Sequence, residues 1–473
     1  MSESKYIIET QDAPDGSFRD RMPSVTEKGK RNWIYAWQPS GKWYRLRTLL
    51  SVFYVILFFS LPFIKINGNP ALQLNIIEGK FSILGMIFWP QDFFIFGMAM
   101  ITFIVFIYLF TMVYGRIFCG WACPQTIFME MIFRRIEWVI EGNPNEQRRL
   151  NAEPWHTKKV LKKSLKHIVF LVLSFVIGNI FLSYIIGIDQ LFTIISEPVT
   201  KHLGGFLAMV VFTLAFYGVY AFTREIVCTV ICPYGRLQGV LLDKNSIVVA
   251  YDYNRGEPRG KGKRPSQQGL GDCIDCHQCV VVCPTGIDIR NGTQLECVNC
   301  TACIDACNMV MDKVGLPRGL VRYASENQLA ENKPFRFTGR MKAYSMVLLL
   351  LVSGLSFIIA TRRDVDVTLF RARGQLFQER GKDSLSNLYH INLVNKTHRP
   401  ITVSLRVEEL PGLAMLVGNK ELVVPAEGQA ENAFFVVLPK SAIKSRDSEV
   451  KIGIYESDKR ISVKKTSFLG YTE

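Results

Sequence analysis

From residue 362 onward the chain contains no cysteine, so no disulfide can staple that region, and all twelve cysteines fall between Cys119 and Cys307. Histidine is scarce. The six residues stand at positions 156, 167, 202, 277, 390 and 398, none in the middle of an apolar run, which argues against a membrane haem held by two axial histidines. No glycine-rich dinucleotide fingerprint and no Walker A sequence is present, so NAD(P)H and ATP are not expected as direct substrates. A cleavable signal peptide is not expected either: the first 45 residues mix Pro, Gly, Asp and Lys, and the first apolar run starts only near Leu46.

Charge and hydropathy then point one way. The 473 residues hold 56 Lys and Arg against 41 Asp and Glu, a net charge of +15, while 49% are hydrophobic and mean hydropathy is +0.16. A basic chain invites a nucleic-acid reading. Here the positive charges sit beside long apolar runs, so membrane lipid is the expected partner and nucleic acid is not. Runs at about 46–66, 93–114, 165–188, 203–223 and 341–361 each approach the roughly 20 residues a membrane helix needs. Between the first two lies "FSILGMIFWPQDF", broken by Pro90 and Asp92; an interfacial, a re-entrant and a packed-loop reading are all open to it, and the interfacial one is favoured. Lys and Arg cluster before the first span and after the second, whereas 67–92 and 189–202 hold only Lys80 and Lys201. The positive-inside rule then sets the N-terminus in the cytoplasm and residues from 362 outside.

The expected organisation is a multi-domain membrane protein. It comprises a cytoplasmic tail over 1–45, a membrane domain with four helices over 46–240, a cytoplasmic ferredoxin-like α+β domain over 241–340, a fifth helix over 341–361 and an all-β domain over 362–473. For the last, "VDVTLF", "LYHINLVN", "ITVSLRV", "NAFFVVL", "VKIGIYE" and "ISVKKTSF" read as short strands between turns, the pattern of an immunoglobulin-like sandwich. Nothing in it suggests catalysis.

The cysteines carry the chemistry. Cys273, Cys276, Cys279 and Cys283, then Cys297, Cys300, Cys303 and Cys307, form two C-x2-C-x2-C-x3-C runs. This is the two-cluster ferredoxin spacing, in which the fourth cysteine of each run ligates the other run's cluster. One [4Fe–4S] cluster is therefore expected on Cys273, Cys276, Cys279 and Cys307, the other on Cys297, Cys300, Cys303 and Cys283. Zinc ligands come more often as separated pairs than as packed quartets. His277 is expected to be a surface or hydrogen-bonding residue rather than a ligand, and Asn308 stands where a second proline is usual. The remaining four cysteines form two matching pairs. "FCGWACPQ" holds Cys119 and Cys123, "VCTVICPY" holds Cys228 and Cys232, and each pair follows a span and precedes a proline. The i,i+4 spacing would set both sulfurs of a pair on one helical face, with Pro124 or Pro233 opening a new helix. Soft thiolates at a membrane edge suit Cu(I) or a dithiol–disulfide couple; buried, inert cysteines are the plainer alternative.

Together the two C-x3-C-P segments, "YDYNRGEPRG", the double ferredoxin run, "MDKVGLPRGLVRYAS", the last span and the cysteine-free β domain resemble the cytochrome c oxidase accessory proteins of the FixG/CcoG type. The resemblance implies a bacterial inner-membrane protein that reduces Cu(II) to Cu(I) for assembly of cbb-type haem-copper oxidase. It further implies Cys119, Cys123, Cys228 and Cys232 as the copper site. Expected partners are a cytoplasmic electron donor, a copper-transporting ATPase or copper chaperone, the oxidase assembly machinery and a second copy of the chain. A quinol-linked ferredoxin carrier and a non-enzymatic assembly scaffold are the rival readings.

Overall fold

A computed structural model describes residues 23–471 except 27, 29, 67, 76–78, 90–91, 261–268, 332–337, 373, 375, 382, 419–420 and 444. Pro90, Lys261, Lys263 and Arg264 thus lie outside the described residues. The chain divides into two units, 1–64 with 98–353 and 65–97 with 354–473. The segment 65–97, grouped with the membrane domain on sequence grounds, clusters instead with the C-terminal residues.

Among the described residues five helices are long and apolar enough to cross a membrane: Lys42–Phe63, Phe94–Tyr114, Thr157–Ile186, Val199–Thr223 and Gly339–Ala360. The third starts eight residues earlier than the hydropathy run. Nothing before Gly187 breaks it, and its basic first turns are anchored by ion pairs from Lys163 and Lys166 to Glu141, at 2.9 and 2.8 Å. In the first unit the third and fourth spans pack through Phe181 stacked on Phe212, with Gly178 leaving room for the Phe212 ring. Phe133, from the helix after the first cysteine pair, is wedged between Phe170 and Tyr220. The first span is joined to the cysteine-rich region at its N-terminus. The Asp305 carboxylate accepts from the Trp43 and Tyr44 amides at 3.2 and 2.7 Å, satisfying two otherwise orphaned donors. In the ferredoxin-like region the helices Gln278–Val281 and Ala302–Val314 accompany an antiparallel pair of strands, Val248–Tyr251 and Val321–Ala324.

The second unit is built on an immunoglobulin-like sandwich. One sheet runs Leu413–Leu416, Gln429–Pro439, Ser384–Asn395, Val365–Arg371; the other runs Leu422–Val424, Ile401–Glu408, Asp447–Glu456, Lys459–Leu469. Alternate residues such as Tyr389, Ile391, Leu393, Phe434, Val436, Ile452 and Phe468 fill the space between them. The segment expected to be interfacial is a β-meander. Lys80–Ile83 and Met86–Phe88 pair across Leu84 and Gly85, both at positive φ, and Leu72–Asn75 adds a third strand. Positive φ at both central residues marks a two-residue hairpin turn, and Gly85 is the residue that permits it. Asp92 ends this segment by pairing with Arg362 and Lys396.

Candidate redox site

The two C-x2-C-x2-C-x3-C loops have the same backbone. In each, the residues flanking the second cysteine are left-handed: Asp275 and His277 around Cys276, Asn299 and Thr301 around Cys300. Asp and Asn adopt this region more readily than most residues. The bend turns backbone amides toward sulfur: those of Gln278, Asn299 and Ala302 face Cys276, Cys297 and Cys300. One cavity is lined by Cys273, Cys276, Cys279 and Cys307. The other is lined by Cys283, Cys297, Cys300 and Cys303, with Cys279 at its edge. The fourth cysteine of each run has thus crossed to the other run's cavity. Four thiols in an apolar, amide-rimmed cavity fit a [4Fe–4S] cluster, and these two quartets would hold one each. Burial pushes the Cys297 and Cys307 thiols up to about 12 and Cys300 to about 11, so cluster loading must release protons.

His277 bonds to Arg290 Nη2 through Nδ1 at 2.9 Å and faces Asp275, in keeping with a hydrogen-bonding role. Asn308 accepts from the Gly319 amide at 2.9 Å, which gives its side chain a local use that proline would lack.

The two C-x3-C-P pairs meet. Cys119 lies on the short helix Ile117–Trp121 and Cys228 on the π-helical turn Val227–Ile231. Cys123 and Cys232 are extended, each capping the helix that its proline begins, so the two sulfurs of a pair do not share a helical face as the spacing suggested. Another π-helical stretch, Ile127–Phe133, follows the first pair. Such wide turns occur often at functional sites. Burial pushes the Cys119 thiol up to about 11 despite Arg116, and Cys123 and Cys232 press the same way. Cys228 rises to about 12 through burial, reinforced by Cys123 and Cys119. Among the described residues no three Cys, His, Asp or Glu side chains converge as ligands of one preset ion.

This cysteine group abuts the second cluster cavity. Cys119, Val298, Cys300 and Ala302 form one buried cluster, against which Trp37, Cys228 and Tyr234 pack. Gly120 makes the approach possible, because a Cβ there would stand 2.5 Å from the Val298 carbonyl oxygen and 2.9 Å from that of Asn299. Trp121 Nε1 donates to the Asn299 carbonyl at 3.3 Å, and Arg47 Nε to the Gly120 carbonyl at 2.7 Å.

Behind it is a buried ionic network that hydropathy gave no reason to expect. Glu137 takes Arg224 at 3.0 Å and Lys166 at 3.4 Å, and Arg134 bonds Glu130 at 3.0 Å. Burial alone would raise the Glu137 carboxyl, but Arg224, Lys166 and Arg134 outweigh it and hold it below the usual range. Arg224, four residues before Cys228, is held at φ 48°, ψ −119°, a strained conformation for a side chain of this size. The only hint in the sequence was the acidic and basic spacing of "RRIEWVIE".

Comparison with known proteins agrees with this layout. The model of a 4Fe–4S dicluster domain matches residues 223–326, that of a 4Fe–4S binding domain matches 96–141, and the model "IG-like fold at C-terminal of FixG" matches 355–471. Nitrogen fixation protein FixG of Rhizobium meliloti is 31% identical over 83% of this chain and 82% of its own length. Protein RdxA of Cereibacter sphaeroides is 34% identical over 83% and 84%, and protein RdxB of the same organism 30% identical over 91% and 94%. The chain belongs to the FixG family. As a FixG-type protein it is an iron–sulfur electron-transfer protein of the oxidoreductase class, with five apolar helices, a dicluster domain and a C-terminal immunoglobulin-like domain.

Proposed function

We propose that the chain reduces Cu(II) to Cu(I) in the bacterial inner membrane and so supplies copper for assembly of a cbb-type oxidase. The observation that carries this reading is the shared cluster of Cys119, Cys228 and Cys300: a soft-ligand group lies in the same buried cluster as a ligand of the second [4Fe–4S] site. Bound [4Fe–4S] clusters supply single electrons, drawn ultimately from a cytoplasmic donor. Cu(II) takes one electron and becomes Cu(I), which thiolate prefers. Cys119, Cys123, Cys228 and Cys232 bind the ion and keep it from water until a copper-transporting ATPase or chaperone takes it. The topology proposed is a cytoplasmic N-terminus and ferredoxin domain with a periplasmic β domain. Basic residues favour it, and so does the union of 65–97 with 354–473 in one unit, since both segments then belong on one side.

The test is anaerobic purification, reduction with dithionite and titration with Cu(II), following cluster and Cu(II) EPR signals together. One Cu(II) signal should vanish per electron stored. Replacing Cys119 and Cys123 by Ser should abolish this while leaving the cluster signals. Undiminished Cu(II) reduction in a variant lacking all four cysteines would refute the assignment. Quinol oxidation that proceeds without copper would point to the quinol-linked carrier instead.

A further inference from the structure

We infer that Gln238 and Thr126 are positioning residues that bind the two C-x3-C-P pairs into one shared soft-cation site, each donating a hydrogen bond to the first cysteine of the opposite pair. The inference rests on the copper-site reading and adds to it the number of sites and the groups that hold the sulfurs.

The geometry is reciprocal. Gln238 belongs to the helix Pro233–Leu241 that follows the second pair, yet its Oε1 accepts from Cys119 Sγ of the first pair at 2.9 Å. Thr126 lies in the helix that follows the first pair, yet its hydroxyl stands beside Cys228 of the second. Two separate sites would not need this exchange. Both side chains are deeply buried, Gln238 at 0% exposure and Thr126 at 5%. Both also hold a buried donor, Gln238 Nε2 and Thr126 Oγ1, that makes no well-formed hydrogen bond, although Tyr234 and Cys228 stand beside them. A buried unpaired donor is costly unless some state of the protein satisfies it.

A thiolate-bound cation supplies that state. Cysteine sulfurs that have lost their protons to a metal become acceptors only, and metal-site ligands are oriented by such outer donors. In the thiol form the Gln238 carbonyl faces the Cys119 S–H. Arg116 Nε also donates to Oε1, at 3.4 Å, and Arg116 reaches Cys119 as well, so its guanidinium can turn to the sulfur once that is a thiolate. A half-turn of the amide then presents Nε2 to the thiolate and brings Oε1 within reach of the neighbouring Tyr234 hydroxyl, which can donate to it. The Thr126 hydroxyl needs only to rotate toward Cys228. The pair therefore accommodates both protonation states without moving the backbone.

The test uses full-length, cluster-loaded protein under anaerobic conditions and a competition titration with buffered Ag(I), a redox-inert soft cation. The wild type should bind one Ag(I) per chain, and Cys119→Ser and Cys228→Ser should each remove it. Gln238→Leu and Thr126→Val should each weaken binding by about 10- to 100-fold, the usual effect of losing an outer-shell partner, with iron content and cluster EPR unchanged. Thr126→Ser, which keeps the hydroxyl, should bind as the wild type does. Undiminished affinity in both Gln238→Leu and Thr126→Val would overturn the inference while leaving the copper reading intact. So would two Ag(I) per chain with each Cys→Ser change removing one. A wild type that binds no Ag(I) would overturn the copper-site reading itself, and this assignment with it.

Discussion

At the residue scale, small or strained positions set how close the two redox groups come. Gly120 is the tightest: any side chain must push on the Val298–Asn299 backbone, which is part of the second cluster's ligand loop. Gly120→Ala should cost about 1–3 kcal/mol through overpacking. The same change should shift the EPR signal of the cluster on Cys283, Cys297, Cys300 and Cys303 and spare the other, measured by anaerobic thermal unfolding and low-temperature EPR. Glu137 gives a pH prediction. Its carboxyl titrates lower in the folded chain than in the unfolded one, so its contribution is complete above the unfolded value of 4.5 and is lost as pH falls through the folded value. Thermal stability should therefore decline on acidification below about pH 4.5. Glu137→Gln should remove that part of the decline. At neutral pH it should cost about 3–5 kcal/mol, because Arg224 is left buried without its main partner.

At the element scale, short connections and helix ends do most of the positioning. The Asp305 carboxylate caps the N-terminus of the first span, which Trp43 also packs against the cluster region, so Asp305→Ala should remove a helix cap and cost about 1 kcal/mol. Hydrogen exchange should then rise at Trp43 and Tyr44 before it rises in the span itself. Hydropathy located all five spans, because burial in lipid leaves a long continuous apolar run. It set the third span's start too late, since Lys158 to Lys166 look like loop charge until the carboxylate partner of Lys163 and Lys166 is known. The alternating strands of the β domain were likewise readable, whereas Leu413–Leu416 and Leu422–Val424 are too short to leave a period. The meander over 72–88 was misread because its two-residue turn, Leu84–Gly85, lacks the Asn or Asp that usually signals one.

For the whole molecule, composition and topology make two countable predictions. Loaded protein should contain about eight iron and eight acid-labile sulfide per chain. Cys300→Ser should lower both and alter one of two EPR signals. About twelve iron per chain would instead place a third cluster on the C-x3-C-P cysteines, and stoichiometric zinc would remove the clusters altogether. Reporter fusions after Lys80, near Gly260 and at the C-terminus should read outside, inside and outside in turn. An inside signal at the C-terminus would mean an even number of crossings.

Cysteine spacing by itself determined the two cluster quartets, including the exchange of Cys283 and Cys307, because a cubane's corners impose a local repeat that a linear sequence can express. The same local logic, a proline after each second cysteine, placed the helix starts at Pro124 and Pro233. Only the tertiary structure decided that Cys119 and Cys228 come together across a gap of more than a hundred residues, that both join the buried cluster that holds Cys300, and that Gln238 and Thr126 are exchanged between them. It alone also decided that Glu137 meets Arg224 and Lys166. These are contacts between elements far apart along the chain. They depend on how helices pack and on which side chains lose their water, and no short pattern in the sequence encodes either.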